Sequence, residues 1–571
     1  MVAAAPPRHL EWTSNLSPKV IPAPTESEGR TLTSPVLTFV PDEGLKSSIP
    51  VTAGTPGVFG DVRIEPSSDL RKLTITRPLA STTNLFTRSS DEGVVMSSDL
   101  GAILRPDDVV SGIGVYSNLY YGAPVSPCTP IEGVTCVHGG CVTTIDHLGR
   151  IENVIRDPAS LATPAGLPTG PHATLDAQAD AIEDALGARM MERLDAAPAN
   201  ARALLMFSGG ADSSLLAVIL RRIAPDRTLL VHYTRWPDDE ETAAARAIAD
   251  ELGLPIKVVG EGDVEDRPVL DDVADVYPFP FGDHSAIPTA RVVRAALSVA
   301  GPDDVFFDGI GADGAFGLFG RITQWERLAR LPRSATRIAS LAFKLARAWE
   351  REPGPVRHLR VLRKSLDASP ISAALGQNCL FDILYDYRTP WRITVDREIT
   401  RWSKIVLPDG DSAVRLAATD LSHVCATVFA QKSKPIIENA GRHVDYPFMS
   451  SGVMGIALQH AAEWPDAKTP KAALRHALGR VLPHHLAHRR KVGFTIRMTK
   501  EFARPDFLDR FRSLTDHTSP LSGFLHRPRI ERLGELMKNS RELPVQTQYF
   551  AFGVVFLDQW LRDALRRPET P

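Results

Sequence analysis

"LLMFSGGADSSLL" runs from Leu204 to Leu216. An apolar run, 202–207, stops at a bare, hydroxyl-rich turn, and apolar residues then resume at helical spacing from Ser213 to Ile223. The run reads as a buried strand and the resumption as a helix. The turn therefore lies at the C-terminal end of a strand and opens a helix, which is where open α/β sheets bind ligands. Gly209 and Gly210 admit close backbone approach. Free N–H groups and the dipole at a helix start favour a phosphate, and Ser208 and Ser213 add hydroxyl donors. Asp212 is the odd member, because a carboxylate repels phosphate unless a cation stands between them. Mg²⁺ bridging Asp212 and phosphate oxygens resolves the conflict. No Lys-Ser/Thr pair follows the glycines, so this is not the Walker pattern.

Outward from this turn, strand-like runs at 228–233, 256–259 and 304–308 alternate with helices. That alternation predicts a parallel sheet with helices on both faces. Just upstream, Leu175, Ile182, Leu186, Met190 and Leu194 mark one helix face. Beyond about residue 320 the chain reads mostly helical. Before residue 155 the texture differs: "VLTFV", "GVFGDVRI", "KLTIT", "GVVMSS" and "GCVTTID" are β-rich and bounded by turn residues. "RDPASLATPAGLPTGPH", Arg156 to His172, reads as a linker. The expected organisation is a β-rich α+β domain over 1–160, a linker over 161–172 and an α/β domain over 173–571.

The 571 residues carry a formal net charge of −3, which gives no push toward nucleic acid or an anionic membrane. Five cysteines, Cys128, Cys136, Cys141, Cys379 and Cys425, are too few and odd in number for a secreted disulfide framework. No second Cys or His pair stands at zinc spacing from Cys136 and Cys141. The N-terminus lacks a signal-peptide pattern, and no apolar run approaches the roughly 18–20 residues that span a bilayer. A soluble, cytoplasmic protein is expected.

"SGGADSS" resembles the pyrophosphate loop of the ATP pyrophosphatases, which split ATP between the α and β phosphates and attach AMP to a carboxylate or carbonyl oxygen. Further stretches are similar to blocks of the asparagine synthetases: "PFPFGDHSAIPTARVVRAA", "VFFDGIGADGAFG", "VDYPFMSSGVMGIAL", "HRRKVGFTIRM" and "FGVVFLDQWLRDAL". Their order and spacing fit over roughly residues 170–565. The resemblance implies an adenine-nucleotide α-hydrolase-like synthetase domain with a helical C-terminal part, using ATP and Mg²⁺. It implies that Ser208, Gly209, Gly210 and Ser213 cradle pyrophosphate, that Asp212 and Asp313 share the metal, and that Met206, Val231, Asp308 and Gly309 line the adenosine. Lys491 matches the family lysine, where an ammonium neutralises charge on departing pyrophosphate or on a tetrahedral intermediate.

Two departures narrow the activity. Asparagine synthetases carry an acidic residue at the position of Ile310, and β-lactam synthetases use a tyrosine there; isoleucine accepts no proton. The acidic residue that usually follows the loop aspartate is Gly314 here. "NLFTRSSDEGVVMSSDLGAIL" and the run to "HGGCVTTIDHLGRIE" resemble the N-terminal-nucleophile (Ntn) glutaminase half of those enzymes, but position 2 is Val2 rather than the nucleophilic cysteine. The N-terminal domain is expected to be a degenerate glutaminase. An enzyme that adenylates a carboxylate and makes no ammonia must find its amine elsewhere, most simply in the substrate. This points to a macrolactam-forming cyclase of the lasso-peptide type, acting on a precursor peptide, with a leader peptidase and a leader-binding protein as further partners. A β-lactam-synthetase-like cyclase, an ammonia-fed asparagine synthetase and a non-enzymatic nucleotide-binding scaffold are the alternatives. His284 and Glu438 are candidate bases. From Arg321 to Lys364 twelve Lys/Arg face only three Glu, a candidate peptide-binding surface.

Overall fold

The computed structural model describes residues 36–566 except 41–43, 48–56, 70, 91–92, 162–166, 168–169, 235–238, 261–268, 272, 333, 335–337, 339–340, 343–368, 377–389, 490–497 and 540–542. Val2, Cys379, Lys491, part of the linker and most of the basic segment therefore lie outside the described residues.

Ten short strands build the first part: β1 (Val36–Val40), β2 (Gly44–Ser47), β3 (Gly57–Phe59), β4 (Val62–Pro66), β5 (Lys72–Arg77), β6 (Phe86–Ser89), β7 (Val94–Ser97), β8 (Thr135–Cys136), β9 (Cys141–Asp146) and β10 (Ile151–Arg156). They form two antiparallel sheets, ordered β2-β1-β7-β6-β8 and β10-β9-β5-β4-β3. Along β4, β5 and β9 buried residues alternate with more exposed ones, as expected for sheets with one face in a core. Leu37, Val94 and Met96 of one sheet meet Ile64, Ile75 and Ile145 of the other. "GVFGDVRI" is two strands rather than one, because Gly60 turns the chain at φ +59°. Helix α1 (Gly112–Tyr121), starting behind the Ser111 cap, has no counterpart in the sequence reading.

Helix α2 (Leu175–Asp195), capped by Thr174, leads into the second part. There β11 (Ala203–Met206), α3 (Ala211–Ile223), β12 (Thr228–Thr234), α4 (Glu240–Leu252), β13 (Ile256–Gly260), α5 (Ala286–Val299) and β14 (Val305–Phe307) alternate as expected. A fifth strand, β15 (His443–Asp445), arrives from far along the chain, an exception to the helical reading of the C-terminal half. The sheet is parallel, in the order β13-β12-β11-β14-β15. Helices α3 and α4 pack together on one face, while α5 crosses β11 and β12. Right-handed crossovers place α5 on the other face. The strand order reverses between β11 and β14, and the crevice at that reversal is the ligand position of doubly wound sheets. The rest is largely helical, including α6 (Ala312–Phe316), α7 (Pro390–Val406), a π-helical stretch Asp420–Phe429, α8 (Ala472–Gly479) and α9 (Val545–Leu565). No helix among the described residues is long and apolar enough to cross a membrane.

Candidate active site

At the strand ends lies a cavity of about 580 Å³. Its wall holds Met206, Ser208, Asp212 and Ser213 from the end of β11, Val231 from β12, and Asp308, Gly309 and Asp313 from the end of β14. The structure thus brings together eight residues that the sequence reading singled out. Gly209 and Gly210 form the turn between Ser208 and Asp212. Lys491 lies outside the described residues, but Arg489, two positions earlier, pairs at 2.8 Å with Glu241 on the cavity wall.

The turn is held by its own serines. The Ser208 and Ser213 hydroxyls lie 3.2 Å apart, Ser213 Oγ takes the Ser208 N–H at 3.3 Å, and Ser208 Oγ takes the Gly210 N–H at 3.3 Å. These bonds are long, so a phosphate oxygen can replace them at small cost. No side chain caps the start of α3 at Gly210, leaving the helix N-terminus for an anion. Gly209 has φ +69°, and a Cβ there would sit 3.3 Å from Ala245 Cα, so both backbone and space call for glycine.

The two loop carboxylates meet through a residue the sequence reading missed. Lys471 Nζ stands 2.8 Å from Asp212 Oδ2 and 2.7 Å from Asp313 Oδ1. Burial disfavours its charge, but attraction from the two carboxylates prevails and holds its pKa above the usual lysine range. Its backbone is left-handed, φ 58°, just before α8, and its N–H bonds Phe316 O at 2.9 Å. A non-glycine residue pays strain energy there. Nothing in "TPKAALRHAL" separates this lysine from a surface charge, since its role comes from contacts with distant residues, Asp212 lying 259 positions away.

The donor set fits a divalent cation. Two carboxylates from neighbouring strand ends already gather round one positive charge. With substrate phosphate oxygens they make the hard-oxygen set that Mg²⁺ takes. Among the described residues no cluster of three or more His, Cys, Asp or Glu could hold a metal ion by itself.

Ile310 lines the same cavity, and its N–H bonds Asp308 Oδ1 at 3.2 Å. Beneath it Gly314 makes room for Asp420: a Cβ at 314 would lie 2.8 Å from Asp420 Oδ2. Asp420 takes a 3.3 Å contact from the Cys425 thiol, and burial pushes its pKa up to about 6. The two candidate bases stand apart from the cavity wall. His284 is half-buried with its ring against Tyr549, and that burial holds it below the usual histidine range. Glu438 is partly exposed and 3.7 Å from Lys434.

A glycine-rich turn, a pair of carboxylates from neighbouring strand ends and a crevice at a topological switch point are together the kind of arrangement that can hold a metal-bound phosphate ester. The asparagine synthase family model matches residues 179–562, more than half of the chain, and the chain belongs to that family. Membership implies an ATP-dependent carbon–nitrogen ligase, a class that uses ATP, typically with Mg²⁺. No curated protein matches the chain.

Proposed function

We propose that this chain adenylates a side-chain carboxylate of a precursor peptide and closes a macrolactam with the peptide's own N-terminal amine. The observation that carries this reading is the split character of the cavity. The phosphate turn and the Asp212–Asp313 pair are complete, while the proton-handling position is Ile310. The wall thus favours activation of a carboxylate and offers no group at 310 to manage free ammonia.

The N-terminal part supports an internal amine. Among its cysteines, burial pushes Cys128 and Cys141 up to about 12 and raises Cys136 as well. None is a thiolate near neutral pH, so none of the three serves as a nucleophile for glutamine hydrolysis.

In this reading the turn from Ser208 to Ser213 binds the β and γ phosphates, and Met206 and Val231 pack against the adenosine. Mg²⁺, held by Asp212 and Asp313, would neutralise phosphate charge. Holding the folded peptide places amine and acyl carbon together, which replaces a bimolecular encounter by an intramolecular one. Lys491 is assigned by resemblance to the charge that develops on oxygen.

The test incubates the protein with ATP, Mg²⁺ and a leaderless candidate peptide. The expected products are AMP, pyrophosphate and a peptide lighter by one water. Asp212→Asn and Asp313→Asn should each abolish AMP formation, and glutamine should yield no glutamate. AMP release with a small amino acid alone, and never a dehydrated peptide, replaces this reading by the β-lactam or asparagine alternative.

A further inference from the structure

The cavity wall is polarised. Six carboxylates line it from the strand ends and α4: Asp212, Asp239, Glu240, Glu241, Asp308 and Asp313. Lys471 pairs with Asp212 and Asp313 and Arg489 with Glu241 on that side, while the Lys and Arg residues lining the cavity itself, among those described, are Arg291 and Lys432, on the side of α5. Lys432 is built in rather than draped over the surface. Its Nζ lies 2.9 Å from Asp283 Oδ2, 2.9 Å from Ser285 Oγ and 4.3 Å from the centre of the Phe429 ring. Asp283 is buried behind the wall, and its other oxygen takes the Ser285 N–H at 2.8 Å. The cation therefore faces the cavity with its counter-ion at its back. Two of its three N–H groups are committed to Asp283 and Ser285, which leaves one. Ser285 Oγ accepts from Lys432, so its own O–H is left to donate. Ser285 also stands at the start of the 14-residue α5, whose dipole adds to the positive potential.

Phosphate groups have their place at the opening of α3, on the opposite face of the sheet. What meets Lys432 is then the reactant that is not the nucleotide. We propose that Lys432 and Ser285 together bind the acyl oxygen of the carboxyl group that this site activates; the assignment rests on the adenylation reading above. In the first step one carboxylate oxygen attacks the α-phosphorus, and the bond to pyrophosphate breaks with its electron pair leaving on pyrophosphate. The other carboxyl oxygen becomes the carbonyl of the mixed anhydride. In the second step the amine adds to the acyl carbon and charge collects on that oxygen. The intermediate then collapses, the bond to AMP breaks, AMP leaves as the anion, and the amine's proton passes to water. Lys432 meets an approaching anion in the first step and a developing oxyanion in the second, so it favours both without itself exchanging a proton.

The test compares two ligands by calorimetry in the presence of Mg²⁺. One is the β-acyl sulfamoyl-adenosine of N-acetyl-aspartate α-methylamide, a neutral-flanked mimic of a side-chain acyl-adenylate. The other is adenosine 5′-sulfamate, which lacks the acyl oxygen. Wild type should bind the acylated ligand about 10–100-fold more tightly, the worth of one charge-assisted hydrogen bond. Lys432→Met should lose most of that advantage while the unacylated ligand binds within about twofold of wild type. Because Lys432→Met strands Asp283, the double variant Lys432→Met/Asp283→Asn removes the buried charge and should show the same loss. Ser285→Ala, which keeps the ion pair, should lose a smaller share. An acyl advantage undiminished in both Lys432 variants overturns the assignment. No advantage in wild type overturns the adenylation reading, and the role of Lys432 with it.

Discussion

Lys471 stands where a cation is needed, and that makes it a competitor as well as a partner. It neutralises Asp212 and Asp313 in the absence of metal, and Mg²⁺ approaching the same oxygens must share or displace it. Lys471→Met should therefore lower the melting temperature without metal, because two neighbouring carboxylates then lose the cation between them. Added Mg²⁺ should raise the melting temperature of the variant by more than it raises that of wild type. Equal shifts in the two proteins would contradict this view. Gly314 is the second decisive residue. A methyl group there would press on Asp420 Oδ2 at 2.8 Å and on Leu421 Cδ2 at 3.1 Å. Gly314→Ala should cost about 1–3 kcal/mol by overpacking. Pairing it with Asp420→Ala should recover part of that cost, a coupling that denaturant titration of the double-mutant cycle measures. The glycine-rich turn between β11 and α3 was legible as a turn because its residue types and order fix the local backbone. Lys471, Lys432 and Asp420 were not, because each is an ordinary charged residue until the fold brings it to Asp212 and Asp313, to the cavity wall or against Gly314.

At the scale of elements, the parallel strands were legible wherever an apolar run was bounded by turn residues. β15 was hidden: only Val444 of its three residues is apolar, and its strand character comes from pairing with β14. Its ends are locked in from outside, since Asp445 takes both Arg189, at 2.6 Å, and Arg193, at 3.2 Å, from α2. The π-helical stretch Asp420–Phe429 was equally hidden, because "DLSHVCATVF" has the apolar content of any buried helix. π-Helical turns cluster at functional sites, and this one delivers Cys425 and Phe429 to the cavity wall, with Asp420 behind them against Cys425. Asp420 gives it a pH signature. Its folded-state pKa, raised to about 6, lies above the ordinary 3.8, so its stabilising contribution is full below that ordinary value and is lost as pH rises through 6. Asp420→Asn should remove that dependence. Relative to wild type, the variant should gain stability between pH 4 and pH 7, by at most about 3 kcal/mol, in urea unfolding at each pH.

Across the whole molecule the two parts are joined by a seam that reacts to acid in the opposite sense. Trp402 of α7 donates to Gly139 O at 2.8 Å, and its ring stands edge-on to His423. His138 and His423 are both buried. Burial, then Arg77 and Arg401, bring His138 down to about 4. Burial, then His138 and Arg77, bring His423 down to about 3. Their stabilising contribution is present above the unfolded histidine value and is lost as pH falls toward those folded values. As pH falls through the ordinary histidine range toward 4.5 both histidines lose stability while Asp420 alone gains it, so acid weakens the seam. Unfolding at pH 7.5, 6.0 and 4.5 should show this net loss, and His138→Gln/His423→Gln should flatten it. Hydrogen exchange should rise first in the backbone around His138 and Gly139. Loss of stability with no difference between wild type and the double variant would place the acid sensitivity elsewhere.

The last helix, α9, carries a further consequence. Trp560 donates to Tyr277 O at 2.9 Å, Phe556 packs on Tyr277 and Phe281, and the same apolar cluster takes in Val115, Leu119 and Tyr120 of α1. The beginning of the chain thus finishes its core only with the end. On the ribosome, at about 5–20 residues per second, α1 is made roughly twenty to ninety seconds before α9 exists to cover it. For that interval the nascent protein carries a greasy, half-built face. A cell that makes it must shield that face with a chaperone or risk losing the chain to aggregation, and any early stop that removes α9 leaves the face bare for good.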